Sequence, residues 1–382
     1  MQLNTVSRHL LSAMAVLSIT AGSVAANASA NANASDRYTL VDLGTLGGSF
    51  SSPSDINNSR QIVGSSSRND KLECAGFEDD VVCEYAFLWQ NGKLTDLGHL
   101  NPSATSTQPN SINDNGVIAG TEKTLATFPD AGSALQSRPF IYRRGVFSSL
   151  PLLWKDITAD GLANSINGAG AITGFSRDKS GQQVLVKWTR GKVERSPVES
   201  AIYARRGEGI NLAGTIVGWQ YEPVSFKPSN GFVLEGSLLT NLSADDENLW
   251  SEAMDINNAG LVVGNKADAA FQFGQATTWS RINGQWIAKR IGSLKGHTDS
   301  SLNRVNKYGD SVGSSNDANI AGSERAIALL NGRLVDLTAM LHLKNIVLNR
   351  ATGINDNGDI VVEATPIDNI QGPRHAYVLL RN

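Results

Sequence analysis

The chain has 382 residues, more than one ordinary core accommodates and enough for two domains or one large repeating β architecture. Its charged content is 18%, its formal net charge −3 and its pI about 6.0, which excludes an electrostatic nucleic-acid binder. Two cysteines exclude a thiolate metal cluster or a disulfide framework, and 37 glycines with abundant asparagine foretell many turns at positive φ.

Residues 1–25 read as a secretory signal peptide: Arg8, an apolar run from Leu10 to Ala21, and a small-residue cleavage site at Ser23-Val24-Ala25. The run is too short to span a bilayer, so no membrane insertion is expected. Residues 26–36 form a polar, low-complexity spacer. The expected product is secreted or periplasmic, and in that oxidising setting Cys74 and Cys83 are expected to form a disulfide that staples a loop.

From residue 37 onward one phrase recurs seven times: apolar-Asn-x-x-Gly-x-apolar-small/apolar-Gly. It opens at Ile56, Ile112, Ile166, Ile210, Ile256, Val305 and Ile354. First to last is 298 positions over six intervals, a spacing of about 50 residues, in the range of propeller repeats. The turn Gly fails only at Arg60 and the closing Gly only at Val362. Such a phrase is a β-hairpin whose Asn side chain holds the turn by bonding the backbone just ahead. INDNGD lacks the spacing of a calcium loop, so no metal is assigned.

Each unit then adds strand, tight turn, strand, as in AFLWQNGKLTDLG from Ala86 and AIALLNGRLVDL from Ala326. Four short strands, A to D, make one propeller blade. The last unit ends at AYVLL, one strand short, and YTLVDLG at 38–44 is the missing strand. The prediction is an all-β, seven-bladed propeller over 37–382, closed by the N-terminal strand and needing no helix.

The line YTLVDLGTLGGSFSSPSDINNSRQIVG, followed by YAFLWQNGKLTDLG, resembles the bacterial HAF-repeat proteins across nearly all of the mature chain. The His-Ala-Phe tripeptide is closest at His375-Ala376-Tyr377, then at Tyr85-Ala86-Phe87 and Arg138-Pro139-Phe140. The resemblance implies an exported repeat protein and carries over no catalytic residue.

In a propeller the A–B and C–D turns share one face and the B–C and D–A loops the other. Here the first set is short, whereas the second includes long segments at 65–85 and 121–137. Function is therefore expected on the long-loop face. Residues there that break the repeat are the ligand-binding candidates: Trp154 and Trp250 in or near D–A loops, Arg206 in another D–A loop, and Trp219 and Tyr221 opening a B–C loop. Taken singly, each also reads as loop packing. Together, aromatic platforms with polar neighbours suit a carbohydrate polymer, or a cell-surface partner.

HExxH, GxSxG, Walker and dinucleotide motifs are absent, and no cofactor is expected. The alternative to a binding protein is a polysaccharide-degrading enzyme of the uronate lyase type, or a glycoside hydrolase. A lyase would need a Tyr or His base and a cation for the uronate carboxylate, roles open to Tyr203, His99 or His297, and Arg205, all read as lying in D–A loops. A monomer is expected.

Overall fold

The computed structural model describes residues 37–68, 83–128, 132–155, 159–198, 200, 202–224, 229–243, 249–268 and 271–382. The expected signal peptide, the spacer and Cys74 lie outside the described residues.

Seven antiparallel four-stranded sheets form a ring. Blade 1 runs Ser51–Ile56, Ile62–Ser66, Tyr85–Gln90 and Lys93–Gly98, from inner strand A to outer strand D. Blades 2 to 6 repeat this over 104–149, 161–195, 204–241, 251–290 and 299–336. Blade 7 takes Ile346–Ile354, Ile360–Pro366 and His375–Arg381 from the C-terminal end, and its outer strand is Tyr38–Gly44. Tyr38 pairs with Arg381 and Asp42 with Tyr377, so the ring closes as expected. Among the described residues the fold departs from the helix-free expectation by a four-residue α-helix, Leu337–Met340, capped by the Asp336 side chain, and a single 3-10 turn, Ile367–Asn369.

The repeated phrase forms the A–B hairpin of every blade. Its turn residues Gly116, Gly170, Gly214, Gly260, Gly309 and Gly358 have φ between 69° and 88°, and Arg60 occupies the same place at 57°. Each Asn Oδ1 accepts from backbone N–H groups ahead, as Asn257 does from Ala259 and Leu261 at 3.0 Å. Its other end does something the local reading missed. The Nδ2 of Asn57 donates to the carbonyl oxygen of Asn113, and the bond is handed on through Asn167, Asn211, Asn257, Asn306 and Asn355 back to Asn57. Seven bonds of 2.8 to 3.4 Å thus join all seven blades in a closed circle.

Every A strand carries a register shift two residues before the phrase, for example between Gly207 and Gly209. Such a bulge bends the inner strand and re-aims its side chains toward the axis. It also explains the closing Gly of the phrase: a Cβ on Gly218 would lie 2.0 Å from the carbonyl oxygen of Arg206.

The apolar core lies between blades. Phe87, Ile56 and Ile62 of blade 1 pack with Val361 and Val378 of blade 7, and Val63 packs with Ile112, Ile118 and Phe140 of blade 2. Sheet faces stacked this way exclude water without any central hydrophobic plug. The axis is left to polar side chains.

Some expected loops are strand. In blade 2, Ile118–Phe128 and Gly132–Arg143 pair down to Phe128 with Gly132, so residues 121–128 and 132–137 of the expected loop are ladder. Its run of Thr and apolar residues favours a ladder over an irregular loop.

Candidate functional site

Strand direction places the starts of the A strands, and with them the D–A and B–C connections, on the long-loop face. His99 and His297 stand in D–A connections as expected. Arg205 and Arg206 do not: both lie in strand A of blade 4, Ala204–Ile210. Trp219 and Tyr221 lie in strand B, Ile216–Tyr221, rather than opening a loop. This corrects the sequence placement, because Trp219 pairs directly with Arg206 in the ladder.

That pairing builds one platform. The rings of Trp219 and Tyr221 are 5.6 Å apart, and the Arg206 guanidinium sits over Trp219 at 5.8 Å. Trp219 Nε1 donates to Glu208 Oε1 at 2.9 Å, and Arg206 Nε lies 2.6 Å from the same oxygen. Burial pushes the carboxyls of Glu208 and Glu252 above the usual carboxylate range.

A second platform involves His99 with two residues that sequence reasoning did not select. Its ring is 4.4 Å from that of Tyr85, over which the Arg68 guanidinium sits at 3.7 Å. Arg68 is held by Asp96 at 2.6 Å. His99 Nδ1 is 2.5 Å from Thr107 Oγ1, which donates to Glu122 Oε2 at 3.3 Å. Burial, and then Arg68, pull the imidazole below its ordinary pKa. The group borders a cavity of about 380 Å³ that also touches Cys83.

Arg205 and His297 meet other partners. Arg205 is buried and bonded to Gln220 Oε1 at 2.8 Å and to the carbonyl oxygen of Val198 at 2.6 Å. Tyr203 lies beside it in a crevice of only about 10 Å³. His297 Nδ1 contacts Ser315 Oγ at 3.1 Å in the connection to blade 6. Trp154 is 39% exposed. Trp250 covers Gly274, where a Cβ would come within 2.4 Å of its ring.

The opposite face holds a cup that the sequence did not suggest. All seven A–B turns surround a cavity of about 390 Å³ at the mouth of the axial channel. The residue just before the apolar one of each phrase differs from blade to blade: Asp55, Ser111, Ser165, Asp255 and Arg304 line the cup, and glycines, Gly209 and Gly353, stand at the other two positions. Asp55 accepts from Ile112 N and Ser111 Oγ of blade 2, both at 3.0 Å. Asp255 accepts from Val305 N of blade 6, at the same distance. Burial raises both carboxyls, Asp255 to about 6, with Arg304 opposing the shift. Extending the seven aligned phrases by one residue upstream would have exposed this irregular column.

Neither a family model nor a curated protein matches the chain. Solved structures do. A prolyl endopeptidase is similar over 90% of this chain and 50% of its own, at 11% identity and a TM-score of 0.52. A gluconolactonase from Xanthomonas campestris covers 92% of both chains at 9% identity and a TM-score of 0.37. The β-propeller domain of a protease from Pyrococcus furiosus matches 76% of this chain and 98% of its own, at 11% identity and a TM-score of 0.36. The chain spans about half the length of the prolyl endopeptidase, and at such identities the likeness is one of fold: a seven-bladed β-propeller of four-stranded blades.

Proposed function

We propose that this is an exported binding protein of the HAF-repeat type, and that it takes an acidic carbohydrate polymer on its long-loop face. One observation carries the reading. The same group, an arginine over one ring with a second ring beside it, occurs twice on this face: Arg68–Tyr85–His99 at blade 1 and Arg206–Trp219–Tyr221 at blade 4. Aromatic faces suit the apolar side of sugar rings and guanidinium groups suit uronate carboxylates. Two separated platforms suit a chain rather than a monosaccharide.

A lyase is the second reading, favoured by the His99–Tyr85–Arg68 group and its cavity. A neutral imidazole beside a phenol and a guanidinium has the residue types needed to take a proton next to a neutralised carboxylate.

A panel of neutral and acidic polysaccharides, scored for retention and for unsaturated-uronate absorbance, tests both readings. Trp219→Ala should weaken retention of an acidic polymer by about 10- to 100-fold in a protein that still folds. Equal retention of neutral polymers, or full retention by the Trp219→Ala, Tyr85→Ala double variant, would refute the binding reading. Absorbance that appears with the wild type and vanishes in Tyr85→Phe and His99→Ala, with retention kept, would establish the lyase.

A further inference from the structure

We infer that the cup on the short-turn face is a second binding site, one for a small organic cation of the diamine class. The first argument is shape. The cavity is closed around its whole circumference by the seven hairpins, and its volume of about 390 Å³ falls in the range that holds small ligands.

The second argument is charge. Asp55, Asp114, Asp255 and Asp356 line the cup against two cations, Arg304 and Lys307. Lys307 is already within 3.5 Å of Asp356, and Asp114 is held by the backbone and side-chain N–H groups of Asn58. The Arg304 guanidinium donates to the carbonyl oxygens of Asn303 and Asn110 rather than to a carboxylate. Asp55 and Asp255 therefore meet N–H and hydroxyl donors, with Arg304 acting on both from a distance.

The third argument is access. A Cβ at Gly209 would lie 3.0 Å from Asp255 Oδ1, and one at Gly353 would lie 3.2 Å from the Asp55 Cα. The blade preceding each aspartate thus places a glycine against it. Four of the seven turn N–H groups that would suit an anion, those of Asn58, Leu212, Lys307 and Asp356, already donate to side chains. The lining includes no aromatic ring, which disfavours a sugar.

Calorimetric titration of the mature protein with diaminobutane, butanediol and magnesium at low ionic strength tests this. The diamine should bind and the diol should not. Affinity should fall about tenfold between about pH 7 and pH 5, as Asp255, facing Asp55 and Arg304, becomes protonated. Asp255→Asn should weaken binding by at least about tenfold. The pH series on the wild type stands if the variant fails to fold. The inference is overturned if the diamine gives no binding, if the diol or magnesium binds as well, or if affinity ignores pH.

Discussion

Arg304 donates through Nη2 to the main-chain carbonyl oxygen of Asn110, 3.3 Å away, and the two residues stand on blades 6 and 2, on opposite sides of the axis. One guanidinium thus crosses the channel, and its field reaches Asp55, Asp255 and Glu208 from three further blades. Replacing it with Met should destabilise the ring at neutral pH by about 2–4 kcal/mol, because buried carboxylates lose their shared cation. Chemical denaturation at several pH values reads this out. The deficit should shrink as pH falls from 7 toward 4, and a deficit independent of pH would mean that Arg304 acts through packing alone.

The wild type has its own pH signature. Asp255 takes up a proton near pH 6 when folded and near its ordinary value when unfolded, so the folded state binds more protons between the two. Stability should therefore rise as pH drops through that window, by on the order of 3 kcal/mol from this group. Glu363 opposes it at lower pH: Arg350 holds its carboxyl below the ordinary value, and that contribution is lost on acidification. Asp255→Asn should flatten the rise between pH 7 and 5.

The asparagine circle gives a two-variant test. Asn257→Ala removes the turn acceptor and the bond to Asn306, and should cost about 2–3 kcal/mol. Asn257→Asp keeps the acceptor but turns an oxygen toward the Asn306 carbonyl, and should still cost about 1–2 kcal/mol. Wild-type stability in the Asp variant would show that the link between blades contributes nothing.

Arg60 carries two opposing effects. Its φ of 57° is strained for a side chain, which favours Gly by about 1 kcal/mol. Its guanidinium, however, grips the buried Asp359 carboxylate at 2.9 and 3.1 Å. Removing one partner of a buried pair costs about 3–5 kcal/mol, less here because Arg60 is half exposed. A net loss of about 1–2 kcal/mol is expected for Arg60→Gly, measurable as a lower denaturation midpoint.

Deleting residues 36–44 should lower the melting temperature by several degrees. It strips the outer strand from blade 7 and uncovers the residues that Val41 and Leu43 pack against, Val361, Ala376 and Val378 among them. An unchanged melting temperature would refute closure by this strand.

The seven phrases, their spacing of about 50 residues and the strand split between the two ends determined the propeller and its closure from sequence alone. Local chemistry was equally legible: the positive φ at Arg60 and at tips such as Asn91-Gly92 follows from where Gly and Asn recur. The turns involve neighbours along the chain, and the closure follows from one unit lacking a strand that the other end supplies.

What the sequence could not reveal is what meets across the axis or between ladders. Asn355 and Asn57 are 298 positions apart, and Arg304 and Asn110 are 194 apart, yet each pair shares a hydrogen bond. Arg206 and Trp219 form a platform only because the bulge at Gly207 sets the register that pairs them. A period states which residues are equivalent. Only the closed ring, with its bulged inner strands, decides which non-equivalent side chains its rotation brings within reach of one another.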